Sequence, residues 1–192
     1  MSGETRASSL AALRALAPSL IGERASNTKE IAALLAERAP TAAAARSALE
    51  QAVVDAAARS NGVDLSRHFG DGGSTLRTDM TITAATLQDS LAQARAARAR
   101  FGTLKVKVGR DGPKDDAERL AAIARVAPAC RLIADANEGF DAEGALAFLD
   151  RAARLGVRLA LLEQPVPAVD LAGMVRVATE GGVPVCADEA AR

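Results

Sequence analysis

The stretch TLKVK at residues 103–107 decides the fold, because it has the pattern of a β-strand that ends in an ionisable residue. Three later apolar runs, RLIAD, RLALLE and VPVCAD, end in the same way. The four end residues are Lys107, Asp135, Glu163 and Asp188, at intervals of 28, 28 and 25 residues. A strand, its crossover helix and two loops take about 30 residues, so this spacing is typical of a βα repeat.

Strand-like and helix-like segments alternate throughout residues 76–192. The strand-like segments lie at residues 76–83, 103–109, 131–137, 158–166 and 183–189, and helix-like stretches separate them. Such alternation predicts a parallel sheet, and five strands amount to more than half of an eight-stranded barrel. The fold class that we predict is α/β, a partial (β/α)8 barrel of about five βα strands.

Residues 1–75 show helical patterns only. Asn27 and Glu30 have the spacing of a capping box ahead of an apolar run, which indicates the start of a helix. A glycine-rich segment at residues 62–74 has the composition of a loop and marks a boundary. We therefore predict two domains, a helical one at residues 1–75 and a barrel-like one at residues 76–192.

Composition and charge exclude several classes of function. Lys plus Arg and Asp plus Glu each number 24, so the formal net charge is zero, and no basic stripe is present. Nucleic acid and anionic membranes are therefore not expected as partners. Cys130 and Cys186 lie in separate apolar runs and are expected as buried thiols of a reducing compartment. No apolar run approaches the length of a membrane span, and the first residues lack a signal-peptide core, which predicts a cytoplasmic protein.

The strand-end residues are candidates for chemistry, because the carboxyl ends of parallel barrel strands form one mouth, where barrel active sites lie. Lys105 and Lys107 are two residues apart in one strand, so both side chains point to the same face. Their ammonium groups should repel, which would lower the pKa of each lysine toward that of a working base. An exposed strand face explains the same KxK pattern, so this motif alone is not decisive.

Three carboxylates at successive strand ends predict a metal site. Asp135, Glu163 and Asp188 offer hard oxygen ligands, with room for water and substrate, which suit octahedral Mg²⁺. Each of them alone could instead cap the helix that follows its strand, although Glu is a poor cap. Asn137 and Glu189 flank the predicted ligands and could orient metal-bound water or a lysine, or could equally serve as caps or solvated groups.

Four short motifs lie at the predicted strand ends: KVK at residues 105–107, DAN at 135–137, EQP at 163–165 and ADE at 187–189. In this order they resemble the enolase superfamily, and its muconate-lactonizing-enzyme-like subgroup fits best. The stretches TDMTI and KVKVG look most like dipeptide epimerases of the Ala-Glu type. The resemblance implies that the barrel strands are preceded by the helical part of an α+β capping domain.

The resemblance also implies a chemistry. Lys107 would be a general base and Lys105 its electrostatic neighbour, while Asp135, Glu163 and Asp188 would hold Mg²⁺. The implied reaction removes a proton α to a carboxylate and passes through an enediolate, as in racemases and epimerases of this superfamily. The expected substrate is a small carboxylate, either a dipeptide or an N-acyl amino acid, and a homo-oligomer is compatible with this function.

Two departures from the family pattern leave alternatives open. The family has a second catalytic lysine at the end of its sixth strand, and its capping domain opens with a strand hairpin. We find neither feature in this sequence, so we expect a chain truncated at both ends and impaired as an enzyme. An o-succinylbenzoate synthase, an N-succinylamino-acid racemase or a muconate cycloisomerase has the same skeleton. A catalytically silent fragment that acts as a binding or assembly module is the alternative from another class.

Overall fold

The computed structural model of the chain describes residues 3–70, 75–83 and 86–191. The chain divides into two compact units, Met1–Leu76 and Arg77–Arg192. The first unit is helical, and the second combines helices with a parallel sheet. Within the described ranges, no helix is both long enough and apolar enough to cross a membrane.

In its described part, the helical unit contains α1 (Arg6–Leu16), α2 (Thr28–Arg38), α3 (Ala43–Ser60) and the single turn α4 (Leu65–His68), with a 3-10 turn at Ala17–Leu20. Its small core is formed by buried side chains from the three longer helices, namely Leu16, Ile31, Leu35 and Ala45. Helix α3 ends before Gly62, which has a φ of +69°. Glycine adopts this left-handed conformation without a steric penalty and so ends helices readily.

The helix starts of this unit only partly follow the sequence pattern. Asn27 occupies the N-cap of α2, but its side chain accepts no capping hydrogen bond, so the capping box expected with Glu30 is not formed. A reciprocal capping box forms instead at α1, between Thr5 and Ser8. The segment expected to be a loop at residues 62–74 contains the α4 turn, and its residues 71–74 lie outside the described residues.

The second unit is built on five parallel strands, which lie in the sheet in the order in which they occur along the chain. They are β1 (Met80–Ile82), β2 (Thr103–Lys107), β3 (Arg131–Asp135), β4 (Leu159–Glu163) and β5 (Val185–Cys186). The connecting helices are α5 (Leu87–Ala97), α6 (Pro113–Val126), α7 (Ala142–Arg154) and α8 (Leu171–Glu180), and a 3-10 turn follows at Glu189–Ala191. The predicted α/β fold, with about five parallel βα strands of a barrel, is confirmed.

Strand β2 illustrates how the core orients the sheet. Leu104 and Val106 are fully buried in the cluster that includes helix residues such as Phe148, whereas Lys105 and Lys107 alternate with them and are partly exposed. Alternate residues of a strand point to opposite faces. The apolar face therefore packs against helices, and the opposite face carries the charged residues that the sequence predicts to be functional.

The loops that follow β2 and β3 pack backbone against backbone at Gly109 and Gly139. A Cβ on Gly139 would lie 2.5 Å from the Gly109 carbonyl oxygen and 2.8 Å from that of Ala136. We expect Gly139→Ala to destabilise the unit by about 1–3 kcal/mol, the usual cost of overpacking, measured as a fall in Tm. Gly102→Ala is the matched control, because a Cβ there meets nothing within 4 Å. Equal Tm changes for the two variants would contradict the close-packing argument.

Candidate active site

The carboxyl ends of the strands bring most of the predicted residues to one end and one face of the sheet. Lys107 pairs in register with Asp135, Asp135 with Glu163, and Glu163 with Cys186. Residues at matching register on parallel strands point to the same face. Asp188 follows Cys186 by two residues, so its backbone lies at the same end of the sheet.

Lys105 joins two of the predicted metal ligands. Its Nζ lies 2.9 Å from Asp135 Oδ2 and 2.7 Å from Glu163 Oε1. The Asp135 side chain is fully buried, and the Lys105 side chain is only 21% exposed. Salt screens such shielded pairs much less than it screens pairs on the surface, so Lys105 holds the two carboxylates together.

Lys107 lies two residues closer to the strand end and extends the network outward. Its Nζ donates to Asp135 Oδ2 at 2.6 Å and also to Asn137 Oδ1. The Nδ2 of Asn137 donates in turn to Glu189 Oε1 at 3.2 Å. Asn137, which the sequence places beside the ligands, thus contacts the candidate base Lys107 directly. Glu189 is connected to Lys107 through Asn137.

The pKa of Lys105 changes in the direction opposite to the one expected from the KxK pattern. Burial of the ammonium group lowers this pKa, but hydrogen bonds to Glu163 and Asp135, together with their negative charges, outweigh burial and raise it above its ordinary value. The expectation that repulsion from Lys107 would dominate is therefore wrong for Lys105. That expectation neglected the carboxylates of Glu163 and Asp135, whose oxygens lie 2.7 Å and 2.9 Å from Lys105 Nζ and favour the charged form of the lysine.

The pKa of Asp135 is shifted in the complementary direction. Burial of this carboxyl group raises its pKa, but hydrogen bonds from Lys107 and Lys105, together with their positive charges, lower it below the usual range. Asp135 also accepts a hydrogen bond from the Asn137 backbone N–H at 3.1 Å. The carboxylate is therefore ionised at neutral pH, as a metal ligand must be.

The three predicted ligands are not gathered into one cluster. Over the described ranges, no group of three Asp, Glu, His or Cys side chains is close enough to hold a metal ion. Lys105 lies between the carboxylates of Asp135 and Glu163, whereas the Asp188 residue is exposed. Like charges repel, so carboxylates approach one another where a positive group lies between them. The structure thus brings Asp135 and Glu163 together through Lys105, and the Asp188 carboxylate does not join them in a group of three.

Cys186 is exposed and Cys130 half-buried, and both are free thiols. The expectation that both are buried is therefore wrong for Cys186. Its register with Glu163 places it on the charged face of the sheet, away from the core between the sheet and its helices.

Sequence reasoning missed Gln164, which follows the predicted ligand Glu163. The residue is fully buried, and its Oε1 accepts hydrogen bonds from the backbone N–H groups of Asp188 at 2.9 Å and Ala190 at 3.0 Å. Its Nε2 donates to the Val166 carbonyl at 2.9 Å. The only available signal was the position of Gln within the EQP motif, because Asp188 and Ala190 are distant from it in sequence.

The donor atoms at these strand ends are of the chemical type that suits a hard divalent cation. Asp135, Glu163 and Asp188 offer carboxylate oxygens, the ligands that Mg²⁺ prefers over nitrogen or sulfur. The Oε2 atom of Glu189 is buried and has no hydrogen-bond partner in the described structure. A buried, unpaired carboxylate oxygen is costly unless a donor or a cation meets it, which also favours positive charge at this position.

Comparison with known families covers nearly the whole chain. Residues 1–70 match the family model described as the mandelate racemase / muconate lactonizing enzyme, N-terminal domain. Residues 86–192 match the model described as enolase C-terminal domain-like. The second match alone extends over more than half of the chain, and it contains every predicted site residue.

Similar proteins include several dipeptide epimerases. An aromatic dipeptide epimerase of Herpetosiphon aurantiacus is 40% identical over 100% of this chain and 54% of its own length. The L-Ala-D/L-Glu epimerase of Bacillus subtilis, solved with a bound substrate, is 30% identical with a TM-score of 0.83, covering 98% of this chain and 54% of that one. The chain spans about half the length of the curated relatives that it matches.

A solved structure with bound ligands is also similar. The dipeptide epimerase of Enterococcus faecalis V583, complexed with Mg and the dipeptide L-Leu-L-Tyr, is 26% identical with a TM-score of 0.84. The match covers 98% of this chain and 53% of that one. The resemblance that the strand-end motifs indicate is thus confirmed, and the chain belongs to the mandelate racemase and muconate lactonizing enzyme family of the enolase superfamily.

Proposed function

We propose that this chain carries the magnesium-binding and proton-abstracting part of a dipeptide epimerase site. The observation that supports this most directly is the ion pair between Lys107 and Asp135 at adjacent strand ends, with Glu163 in register on the next strand. Enolase-superfamily sites combine a Lys or His base with Mg²⁺ in this kind of chemistry. That the whole protein epimerises dipeptides is part of the same proposal.

The two lysines have different roles in the proposal. Lys107 lies at the strand end, where its side chain is 31% exposed, and it removes the proton from the substrate α-carbon. Lys105 lies deeper and is held by Asp135 and Glu163. Because its ammonium group lies within 2.9 Å of both carboxylates, Lys105 supplies a positive charge in this proposal rather than a base.

Asp135, Glu163 and Asp188 would hold the Mg²⁺ ion, with Glu189 and Asn137 beside them. Bound Mg²⁺ offsets the negative charge that develops on the substrate carboxylate as the α-proton leaves. Asn137 accepts a hydrogen bond from Lys107 and so limits the positions that the amine can take. Restricting the base in this way lowers the entropic cost of reaching the reactive geometry.

A dipeptide is the substrate class that we infer. The Herpetosiphon relative is an aromatic dipeptide epimerase, and the Enterococcus structure contains L-Leu-L-Tyr. In a dipeptide, only the C-terminal residue has its α-carbon next to a free carboxylate. The proton removed is therefore the α-proton of the C-terminal residue.

Deuterium exchange tests the proposed function directly. We expect the 192-residue chain in D₂O with millimolar Mg²⁺ to exchange the α-hydrogen of the C-terminal residue of L-Leu-L-Tyr, followed by ¹H NMR, and EDTA to stop the exchange. We expect exchange to exceed epimerisation, followed by polarimetry, because Lys105 and Lys107 both lie on β2 and approach from one side.

Different results would contradict the requirement for Mg²⁺ and the excess of exchange over epimerisation. Exchange that proceeds equally with Mg²⁺ and with EDTA would exclude the proposed role of the metal. Efficient interconversion of the two epimers by the 192-residue chain would show that a second base acts from the other side of the substrate, contrary to the expectation that only Lys107 removes and returns the proton. L-Ala-L-Glu, tested in parallel, reports whether an acidic C-terminal residue is accepted.

A further inference from the structure

Gln164 connects three loops at the carboxyl end of the sheet. It follows Glu163 at the end of β4, and its φ is +34°, a left-handed conformation that a residue other than glycine rarely adopts. Its backbone N–H donates to the Cys186 carbonyl at 2.8 Å, and its own carbonyl accepts from the Glu138 N–H at 2.9 Å. A strained backbone persists only where surrounding contacts hold it, and here the contacts come from the loops after β3 and β5.

The side chain of Gln164 uses its hydrogen-bonding capacity fully. Its Oε1 accepts two hydrogen bonds, from the N–H groups of Asp188 and Ala190, and its Nε2 donates to the Val166 carbonyl and to Met174 Sδ at 3.9 Å. The amide is fully buried, so water does not replace these partners. A carbonyl oxygen has two acceptor sites, and both are directed at the short segment that contains Asp188 and Glu189.

Apart from the hydrogen bond that Glu189 Oε1 accepts from Asn137 Nδ2 at 3.2 Å, that segment has few other supports. Strand β5 is only two residues long, Val185–Cys186, and the turn that follows contains the hydrogen bond from the Ala191 N–H to the Asp188 carbonyl. The Asp188 side chain forms no hydrogen bond or ion pair with a described residue. The position of the Asp188 backbone therefore depends on the amide of Gln164 more than on its own strand.

We propose that Gln164 is a positioning residue that holds the Asp188–Glu189 turn next to Glu163 and thereby sets the affinity of the site for a divalent cation. The inference rests on the proposed function, because it takes Asp188 to be a ligand. The amide acts from outside the ligand set, by fixing the backbone from which the ligand projects. Loss of such outer partners typically weakens metal binding by about 10- to 100-fold.

The test compares two substitutions at Gln164 with a destabilised core variant. Gln164→Met keeps the length of the side chain but loses its hydrogen bonds to backbone groups, while Gln164→Glu keeps the Oε1 acceptor and loses the Nε2 donor to the Val166 carbonyl and to Met174 Sδ. Leu120→Ala, in the fully buried core of α6, is the control for a general loss of stability. The readouts are amide hydrogen exchange at Asp188 and Ala190, resolved by NMR, and the Kd for Mn²⁺, measured by electron paramagnetic resonance.

In Gln164→Met we expect exchange at Asp188 and Ala190 to accelerate at least about tenfold relative to Leu120→Ala, and the Kd for Mn²⁺ to rise by about 10- to 100-fold. Gln164→Glu should restore most of the amide protection. Unchanged protection or an unchanged Kd in Gln164→Met would overturn the proposal. The amide readout does not need the metal, whereas absence of Mn²⁺ binding by the wild-type chain would overturn the metal site itself, so the two failures are distinguishable.

Discussion

Lys107→Arg is expected to slow α-hydrogen exchange by about 10²- to 10⁴-fold, the usual contribution of a positioned general base. Arginine keeps the positive charge beside Asp135 but does not lose its proton at any accessible pH. The substitution therefore removes the base and preserves the charge balance of the network. The rate is measured by ¹H NMR in D₂O with L-Leu-L-Tyr and saturating Mg²⁺.

Two comparisons separate loss of the base from loss of the site. The affinity for Mg²⁺ should stay within a few-fold of the wild-type value in Lys107→Arg, because the carboxylates are unchanged. Lys114→Arg, at an exposed position near the start of α6, should exchange at the wild-type rate. Exchange by Lys107→Arg at a rate close to wild type would assign proton removal to another group.

The strands of the sheet were predictable because their physical signals are local. In TLKVK, apolar Leu104 and Val106 alternate with Lys105 and Lys107, and only one register buries the first pair against helices. A shift by one residue would bury the lysines instead. The same reasoning placed Asp135 and Glu163 on neighbouring strand ends, where the structure has them in register.

Properties that depend on distances across the sheet were not predictable in the same way. The sequence shows that Lys105 has Lys107 as a near neighbour, but it does not show that Lys105 Nζ lies within 3 Å of two carboxylates. Their combined effect reverses the direction of the pKa shift. Repulsion between neighbours in one strand was overestimated because the attractive partners are 30 or more residues away.

Hydrogen bonds of single side chains were the least predictable features. Asn27 has the right position for a cap and does not form the capping hydrogen bond, since the chain before the helix determines whether the side chain can reach. Gln164 is the reverse case, because nothing in its local sequence indicates that it binds the segment at Asp188. Both outcomes depend on loop conformations, which propensity and periodicity describe poorly.

Millimolar Mg²⁺ is expected to raise the Tm of the chain, and Asp135→Asn is expected to remove the effect. Asp135, Glu163 and Asp188 come from separate segments of the sheet unit, so they lie near one another only in the folded state. A ligand that binds only the folded state stabilises it by about 2.7 kcal/mol at 100 times its Kd. Asparagine has the size of aspartate but lacks its charge, so the cation loses a ligand that is otherwise ionised and buried.

The control for this prediction is Asp150→Asn, which removes an exposed carboxylate that pairs with Arg154 on α7. Exposed pairs of this kind contribute about 0–1 kcal/mol, so this variant should respond to Mg²⁺ as the wild type does. Glu163→Gln should resemble Asp135→Asn, because Glu163 supplies the ligand on the adjacent strand. Differential scanning calorimetry with and without Mg²⁺ measures all four chains. If wild type shows no Mg²⁺-dependent change in Tm, or if Asp135→Asn keeps it, then these strand-end carboxylates do not form the metal site.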